Sequence, residues 1–221
     1  KYRGAGPIQW AGINGETETG ITTMLMDEGM DTGMMLLQES VLIAPDDTAG
    51  TVSSKLAGIG GRLLVETIER LMAGTITPQA QDSSQATMAP LLKKEDGLID
   101  WSKSAVQLAN RIRGVTPWPG GYSFLQGERW IFWQAKVVEG DSQAALPGTV
   151  VQVTKHTLVV STGQGLLAIS EIQPANSRRM AVPAYLAGLM TRPEKITPMP
   201  NDRAEVERFI RSASRAAKQT A

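Results

Sequence analysis

The residues best suited to chemistry lie in one short acidic stretch, Met26–Gly33. It holds three carboxylates, Asp27, Glu28 and Asp31, together with two glycines that permit backbone angles most residues avoid. The β-branched and apolar residues 21–25 lead into it, so we expect a loop at a strand end, where α/β enzymes keep their reactive groups. A carboxylate cluster in such a loop is a candidate for acid–base chemistry, and an acidic solvated turn is the alternative interpretation.

The flanking sequence predicts the elements that would position this loop. Residues 21–26 and 35–43 are typical of strands, and residues 48–73 show the apolar spacing of a helix. Three glycines near the middle of that helix each cost about 1 kcal/mol against Ala, so a break there is one expectation. Residues 75–97 are polar and show no periodicity, which indicates a linker.

The rest of the chain has a different pattern. A helix capped by Asp100 or Ser102 precedes five short strand-like runs between residues 118 and 174, and these favour a small barrel. Residues 182–190 predict a short helix, and residues 197–221 a polar tail that is either helical or disordered. Aromatic residues in the strand region are candidates for base stacking, although core packing is the more common role, and they are Trp118, Tyr122, Trp130, Phe132 and Trp133.

Composition excludes several classes of site. The chain of 221 residues has no cysteine, so disulfides and thiolate-bound metals are excluded, which suits a reducing cytosol. No run of about 18 apolar residues occurs, so we expect no membrane span. The net charge of zero hides an asymmetry, since residues 1–90 carry 5 Lys or Arg against 11 Asp or Glu, and residues 91–221 carry 17 against 11. A basic half of this kind is typical of a partner for a polyanion, with chance plus a basic tail as the alternative.

Several motifs in a fixed order together resemble the methionyl-tRNA formyltransferase family. They are Lys1–Gln9, Gly15–Thr22, Met26–Gly33, Lys94–Trp101 and Pro117–Gly120, and the resemblance extends from residue 1 to about residue 196. It implies an α/β fold in residues 1–74, as the C-terminal half of a Rossmann-like formyltransferase domain. A linker over 75–97 and an all-β, oligonucleotide-binding (OB)-like barrel over 98–196 would follow, with the tail over 197–221.

The resemblance also implies a reaction, the transfer of a formyl group from 10-formyltetrahydrofolate to the amino group of methionyl initiator tRNA during translation initiation. The family's catalytic Asp falls on Asp31, and the folate pocket would be lined by Met26, Asp27, Glu28, Gly29 and Met30. We expect a cytoplasmic monomer, bacterial or organellar, that uses no metal. The family's catalytic Asn and His lie upstream of the matching region, and the single histidine, His156, is expected to be structural or exposed. The chain therefore looks like a fragment that we predict to be inactive alone.

The basic half would hold the tRNA through its phosphates. The candidates for these contacts are Lys93, Lys94, Arg111, Arg113, Lys155, Arg178 and Arg179. Two alternatives stay open: another folate-dependent formyltransferase that acts on a small amine, and a non-catalytic RNA-binding module. The charge of the basic half favours tRNA over a small substrate.

Overall fold

A computed structural model describes residues 1–125, 127–140, 142 and 145–189 of the chain. These residues form two compact units. The first comprises Lys1–Leu92 with Arg113–Pro117, and the second comprises Lys93–Ile112 with the residues from Trp118 onward.

The first unit is built on an antiparallel hairpin that flanks the acidic stretch. After helix α1 (Pro7–Ile13), strand β1 (Glu18–Met24) pairs with strand β2 (Met35–Leu42) in a two-stranded sheet. The register runs from Glu18 opposite Leu42 to Met24 opposite Met35, with an irregularity at the end nearest the acidic loop. The two strands predicted on either side of the loop are therefore confirmed.

Helix α2 (Ala49–Met72) packs on this hairpin. It begins at a reciprocal cap in which Thr48 and Thr51 each accept the other's backbone N–H through the side-chain oxygen. Val52, Leu56 and Leu63 are buried along one face, as the helical spacing predicts. A second apolar row is exposed, since Leu64, Ile68 and Leu71 are 53%, 49% and 39% exposed.

The three glycines of α2, at positions 58, 60 and 61, do not break the helix. A Cβ on Gly60 would lie 3.2 Å from Ile21 Cδ1, whereas Gly58 and Gly61 face open space. Thr67 is buried, and its hydroxyl lies 2.8 Å from that of Thr23 on β1. Contacts with the hairpin therefore hold the helix together across a region of poor helical propensity.

Much of the predicted linker belongs to the first unit. Met35 and Gln79 exchange two backbone hydrogen bonds of 2.8 Å, so the segment pairs with the start of β2. Further along, the Arg3 N–H donates to Thr87 O at 2.8 Å and the Ala89 N–H donates to Arg3 O at 2.7 Å. Residues 75–92 are thus held by backbone pairing to the first unit, and the unit boundary falls after Leu92 instead of at residue 74.

The second unit is an antiparallel sheet with helices. Helix α3 (Ala105–Gly114) precedes strands β3 (Gly121–Leu125), β4 (Glu128–Val138), β5 (Val150–Val153), β6 (Leu158–Ser161), β7 (Leu166–Gln173) and β8 (Met180–Ala181), followed by helix α4 (Val182–Leu189). The strand order is β3-β4-β7-β6-β5, with β8 paired to β7. Among the described residues the end strands β3 and β5 are not paired with each other, so the strands form an open sheet and the predicted closed barrel is not observed.

Aromatic residues form much of the core of the second unit. Trp101 and Phe132 are fully buried and meet edge to face at 5.7 Å, and the Trp101 indole donates to Ser123 Oγ at 3.0 Å. Tyr122 and Trp130 are buried as well. Trp118 is instead 51% exposed and Trp133 is half-buried, so only these two of the five candidate stacking residues lie at the surface.

The tail predicted over residues 197–221 lies outside the described residues. In the part of the chain that is described, the longest helices lack the length or apolar character that crossing a bilayer requires.

Candidate functional site

The acidic loop is a tight connection between β1 and β2 that requires its glycines. Its ends meet where the Leu25 N–H donates to Met34 O at 2.9 Å. Gly33 is buried at this closure, and a Cβ on it would overlap the carbonyl oxygen of Leu25. A Cβ on Gly29 would overlap the Thr32 side chain. The Leu25 backbone therefore excludes a side chain at position 33, whereas a side chain at position 29 would displace that of Thr32.

The Asp27 carboxylate makes hydrogen bonds to other residues of the same loop. Its Oδ1 accepts the Gly29 N–H at 3.1 Å and the Thr32 hydroxyl at 2.6 Å, in the manner of an Asx turn. This carboxylate is therefore used to shape the loop. Glu28 is exposed.

Asp31 differs from the other two carboxylates in its backbone conformation and in its hydrogen-bond partner. Its φ is +53°, in the left-handed region that Asp and Asn tolerate better than most residues. It is partly buried, and its Oδ2 accepts the Gly4 N–H at 2.7 Å. A charged acceptor at this distance makes a strong hydrogen bond, which fixes the orientation of the carboxylate.

Gln81 supports this part of the loop from the segment that the sequence predicts as a linker. Its Nε2 donates to two carbonyl oxygens, Asp31 O at 2.8 Å and Gly33 O at 2.7 Å. Its Oε1 accepts from Arg3 Nη2 at 2.9 Å. Sequence reasoning missed Gln81, because a lone Gln in an aperiodic segment carries no signal of a long-range role.

Asp31 lines a cavity of about 730 Å³ in the first unit. Its walls come from the N-terminal residues, from both strands of the hairpin and from Gln81, and they include Tyr2, Arg3, Glu16, Ile21, Met24 and Met35. The Tyr2 hydroxyl donates to Glu16 Oε1 at 2.6 Å and accepts from Asn14 Nδ2 at 3.1 Å. Burial raises the pKa of Tyr2, and the hydrogen bond from Tyr2 lowers the pKa of Glu16. The cavity wall therefore carries a neutral phenol that donates to a carboxylate.

The five residues predicted to bind folate do not line the cavity that Asp31 lines. All five, Met26, Asp27, Glu28, Gly29 and Met30, are exposed on the loop and none of them is part of the cavity wall. Met26 is 92% exposed. The single histidine, His156, is exposed in the turn between β5 and β6.

The candidate tRNA contacts divide into two groups. The first group is exposed and makes no ion pair or ring contact within the described part of the chain; it consists of Lys93, Lys94, Lys155 and Arg178. Arg111 donates to Asp96 O at 2.6 Å, and Arg113 donates to Ala44 O at 3.5 Å with its pKa lowered by burial.

Arg179 is held by other protein groups. Its Nε and Nη2 donate to the two carboxylate oxygens of Glu171, at 2.8 Å and 2.6 Å. Its guanidinium also lies 4.7 Å from the ring centre of Trp133. Since Glu171 offsets its charge, Arg179 adds less positive potential than an unpaired arginine would. In the described ranges no three or more His, Cys, Asp or Glu side chains come together as metal ligands.

Comparison with known families and proteins gives matches along most of the chain. Residues 1–68 match the formyl transferase family, and residues 91–190 match the formyl transferase C-terminal domain. The methionyl-tRNA formyltransferase of Desulfotalea psychrophila is 50% identical over 188 residues, 85% of this chain and 58% of that protein. The enzyme of the same name from Pelotomaculum thermopropionicum is 47% identical over 90% of this chain and 61% of that protein. The chain thus spans about three-fifths of the length of these relatives.

Solved structures give the same fold at lower identity. HypX from Aquifex aeolicus in complex with tetrahydrofolic acid is 18% identical with a TM-score of 0.64, covering 89% of this chain and 35% of that one. An N-formyltransferase from Helicobacter canadensis, in complex with folinic acid and dTDP-3-aminofucose, is 18% identical with a TM-score of 0.62, covering 76% of this chain and 61% of that one. At these identities the likeness concerns the fold.

Proposed function

The chain belongs to the formyltransferase family, and on that basis we propose that it forms part of a methionyl-tRNA formyltransferase. The reaction is the transfer of a formyl group from 10-formyltetrahydrofolate to the amino group of methionyl initiator tRNA. The observation that carries the proposal is Asp31, a carboxylate on a glycine-closed loop, fixed by the Gly4 N–H at the wall of a cavity. Relatives at 42 to 50% identity that carry this enzyme's name support the choice of acceptor.

The reaction needs a group that manages a proton. The methionyl amine attacks the formyl carbon, so a new carbon–nitrogen bond forms while the bond to the folate nitrogen breaks. A proton leaves the amine and one arrives on the folate nitrogen. Asp31 suits this task because the Gly4 N–H fixes one of its oxygens and thereby the direction of the other. We assign it the role of orienting and proton-coupling the reacting groups, together with the Asn and His that the family carries upstream.

The cavity beside Asp31 suits part of a folate. Its volume of about 730 Å³ lies within the usual range of small-molecule sites, roughly 300 to 1,000 Å³. Apolar side chains such as Ile21 and Met24 share its wall with the guanidinium-bearing Arg3, which suits a flat, polar-edged ring system. Solved structures of the same fold that are named with tetrahydrofolic or folinic acid support this choice. The exposed residues Met26–Met30 would contact the donor from outside this wall.

The second unit is the proposed platform for tRNA, in the manner of an OB-like domain. The excess of positive charge in residues 91–221 and the exposed Lys93, Lys94, Lys155 and Arg178 suit phosphate contacts. A folate-dependent formyltransferase that acts on a small amine is the second candidate. The Helicobacter canadensis structure, named with a sugar nucleotide, is the observation that favours it.

Formylation of charged initiator tRNA tests the proposal. The chain alone should show no formyl transfer. A fusion protein, in which the segment that precedes the match in the Desulfotalea psychrophila relative is placed before Lys1, should show it. The intact relative serves as the positive control, and a dTDP-amino sugar serves as the competing acceptor. Transfer by the chain alone would contradict the fragment interpretation. Transfer only to the amino sugar would move the assignment to the second candidate.

A further inference from the structure

We propose that Gln81 is a positioning residue for the reaction, acting through the backbone on either side of Asp31. The inference rests on the proposed function. Gln81 lies 50 residues from Asp31 in the chain, in a segment outside both family matches. It therefore adds a residue to the site that neither the loop motif nor the family match contains.

The side-chain amide of Gln81 is fully used at this point. Its nitrogen has two protons, and it donates to Asp31 O at 2.8 Å and to Gly33 O at 2.7 Å. Its oxygen accepts from Arg3 Nη2 at 2.9 Å. One amide thus links the two carbonyls that bracket Thr32 to the N-terminal segment that also supplies the Gly4 N–H.

Asp31 needs such support because of its backbone. A residue at φ +53° is strained, and it keeps that conformation only where the surroundings impose it. The Asp31 carbonyl and carboxylate are fixed from different segments, the first by Gln81 and the second by Gly4. Loss of the Gln81 bonds would let the peptide unit after Asp31 turn, and the carboxylate would move with it.

The Gln81 side chain is separable from the fold of its own segment. The backbone is anchored on one side by the Met35–Gln79 pair and on the other by the bonds between Arg3 and residues 87 and 89. A substitution of the side chain at position 81 therefore leaves these backbone bonds available. We expect it to free the loop without detaching the segment.

Two variants separate the donated bonds from the accepted one. Gln81→Leu removes all three bonds. Gln81→Glu keeps the shape and an acceptor for Arg3, but it cannot donate when ionised and it faces two carbonyl oxygens. Gln79→Leu is the matched control, because Gln79 is exposed and pairs through its backbone.

The first readout is hydrogen exchange of the Gly4 amide in the 221-residue chain, which needs no catalysis. Both Gln81 variants should speed this exchange by about tenfold or more, as expected for the loss of two hydrogen bonds. Gln79→Leu should leave it unchanged. The Val52 amide, which donates to Thr48 O at 3.0 Å in α2, reports that each variant stays folded. Unchanged Gly4 exchange in both variants, or a Gln81→Glu variant that behaves as the parent, would overturn the proposal.

The second readout is formyl transfer by the fusion enzyme. Both Gln81 variants should lower kcat by about 10- to 100-fold, as displacement of a reacting group does, while KM for charged tRNA changes less than about twofold. If kcat falls only in proportion to the fraction of protein that remains folded, the positioning role is overturned. If the fusion with Gln81 intact transfers no formyl group while the relative does, the proposed function fails, and Gly4 exchange still decides the role of Gln81 in holding the loop.

Discussion

Substitution of Asp31 by Asn or by Ala separates the chemistry of this residue from its structural part. Asn has the same shape, tolerates the left-handed backbone region, and offers an amide oxygen to the Gly4 N–H. It has no carboxylate to take a proton. Ala loses both the acceptor and the tolerance of the backbone angle.

The magnitudes follow from these contacts. For Asp31→Asn we expect the free energy of unfolding to fall by about 1 kcal/mol, because an amide oxygen replaces the carboxylate as a weaker acceptor for the Gly4 N–H. For Asp31→Ala, leaving the Gly4 N–H without its acceptor costs about 1 to 3 kcal/mol. The left-handed backbone adds about 1 kcal/mol, so a loss of about 2 to 4 kcal/mol is expected.

Urea unfolding of the 221-residue chain measures the stabilities, and formylation by the fusion enzyme measures the rate. Loss of a general acid–base group lowers rates by about 10²- to 10⁴-fold, and both variants should show this loss. The reasoning would be refuted by an Asn variant as unstable as the Ala variant. It would also be refuted by an Asn variant that loses less than about threefold in kcat.

Three further predictions concern other parts of the chain. The affinity of the chain for initiator tRNA should fall linearly with salt on logarithmic axes, with a slope of about 0.7 to 0.9 per phosphate contact. Alanine substitution of Lys93, Lys94, Lys155 and Arg178 should flatten that slope by the number of phosphate contacts removed. Substitution of Arg179, whose charge is paired, should flatten it much less. Titrations with and without the residues after Asp202 show whether the salt dependence comes from the second unit or from the tail. Gly33→Ala should open the loop, because the new Cβ meets the carbonyl oxygen of Leu25, and the Leu25 amide should then lose protection from hydrogen exchange. The hydrogen bond from Lys55 lowers the pKa of Asp47, so this carboxylate stabilises the fold above the ordinary Asp value and less as pH falls through the lowered one. Asp47→Asn should therefore reduce stability at pH 7, and the difference between the two proteins should begin to narrow below about pH 3.9, as thermal unfolding across pH would show.

Local patterns predicted the elements of the first unit well. The strand-like runs on either side of the acidic loop became β1 and β2, and the spacing of Val52, Leu56 and Leu63 became the buried face of α2. These features depend on residues a few positions apart, so the sequence carries them directly. The expected break at the glycines did not occur, because burial against the hairpin outweighs a propensity loss of about 1 kcal/mol at each glycine.

Long-range pairing was not predictable in the same way. The pairing of residues 79 and 87–89 with the first unit runs through backbone atoms, which leave no mark in side-chain composition. Nothing in the sequence distinguishes Arg179 from an unpaired arginine. Its ion pair with Glu171 depends on the register of β8 against β7. The same holds for the path of the strands in the second unit, since each strand is visible locally but its neighbours are not.

The glycines of α2 bear on how the first unit folds. Because Gly58, Gly60 and Gly61 make the middle of this helix a poor helix former, the helix depends on its contacts with β1, such as that between Thr67 and Thr23. Helix and hairpin should therefore form in a single cooperative step. Hydrogen exchange of the α2 amides then becomes a distant reporter of the hairpin, and a ligand that binds only the folded hairpin should slow that exchange.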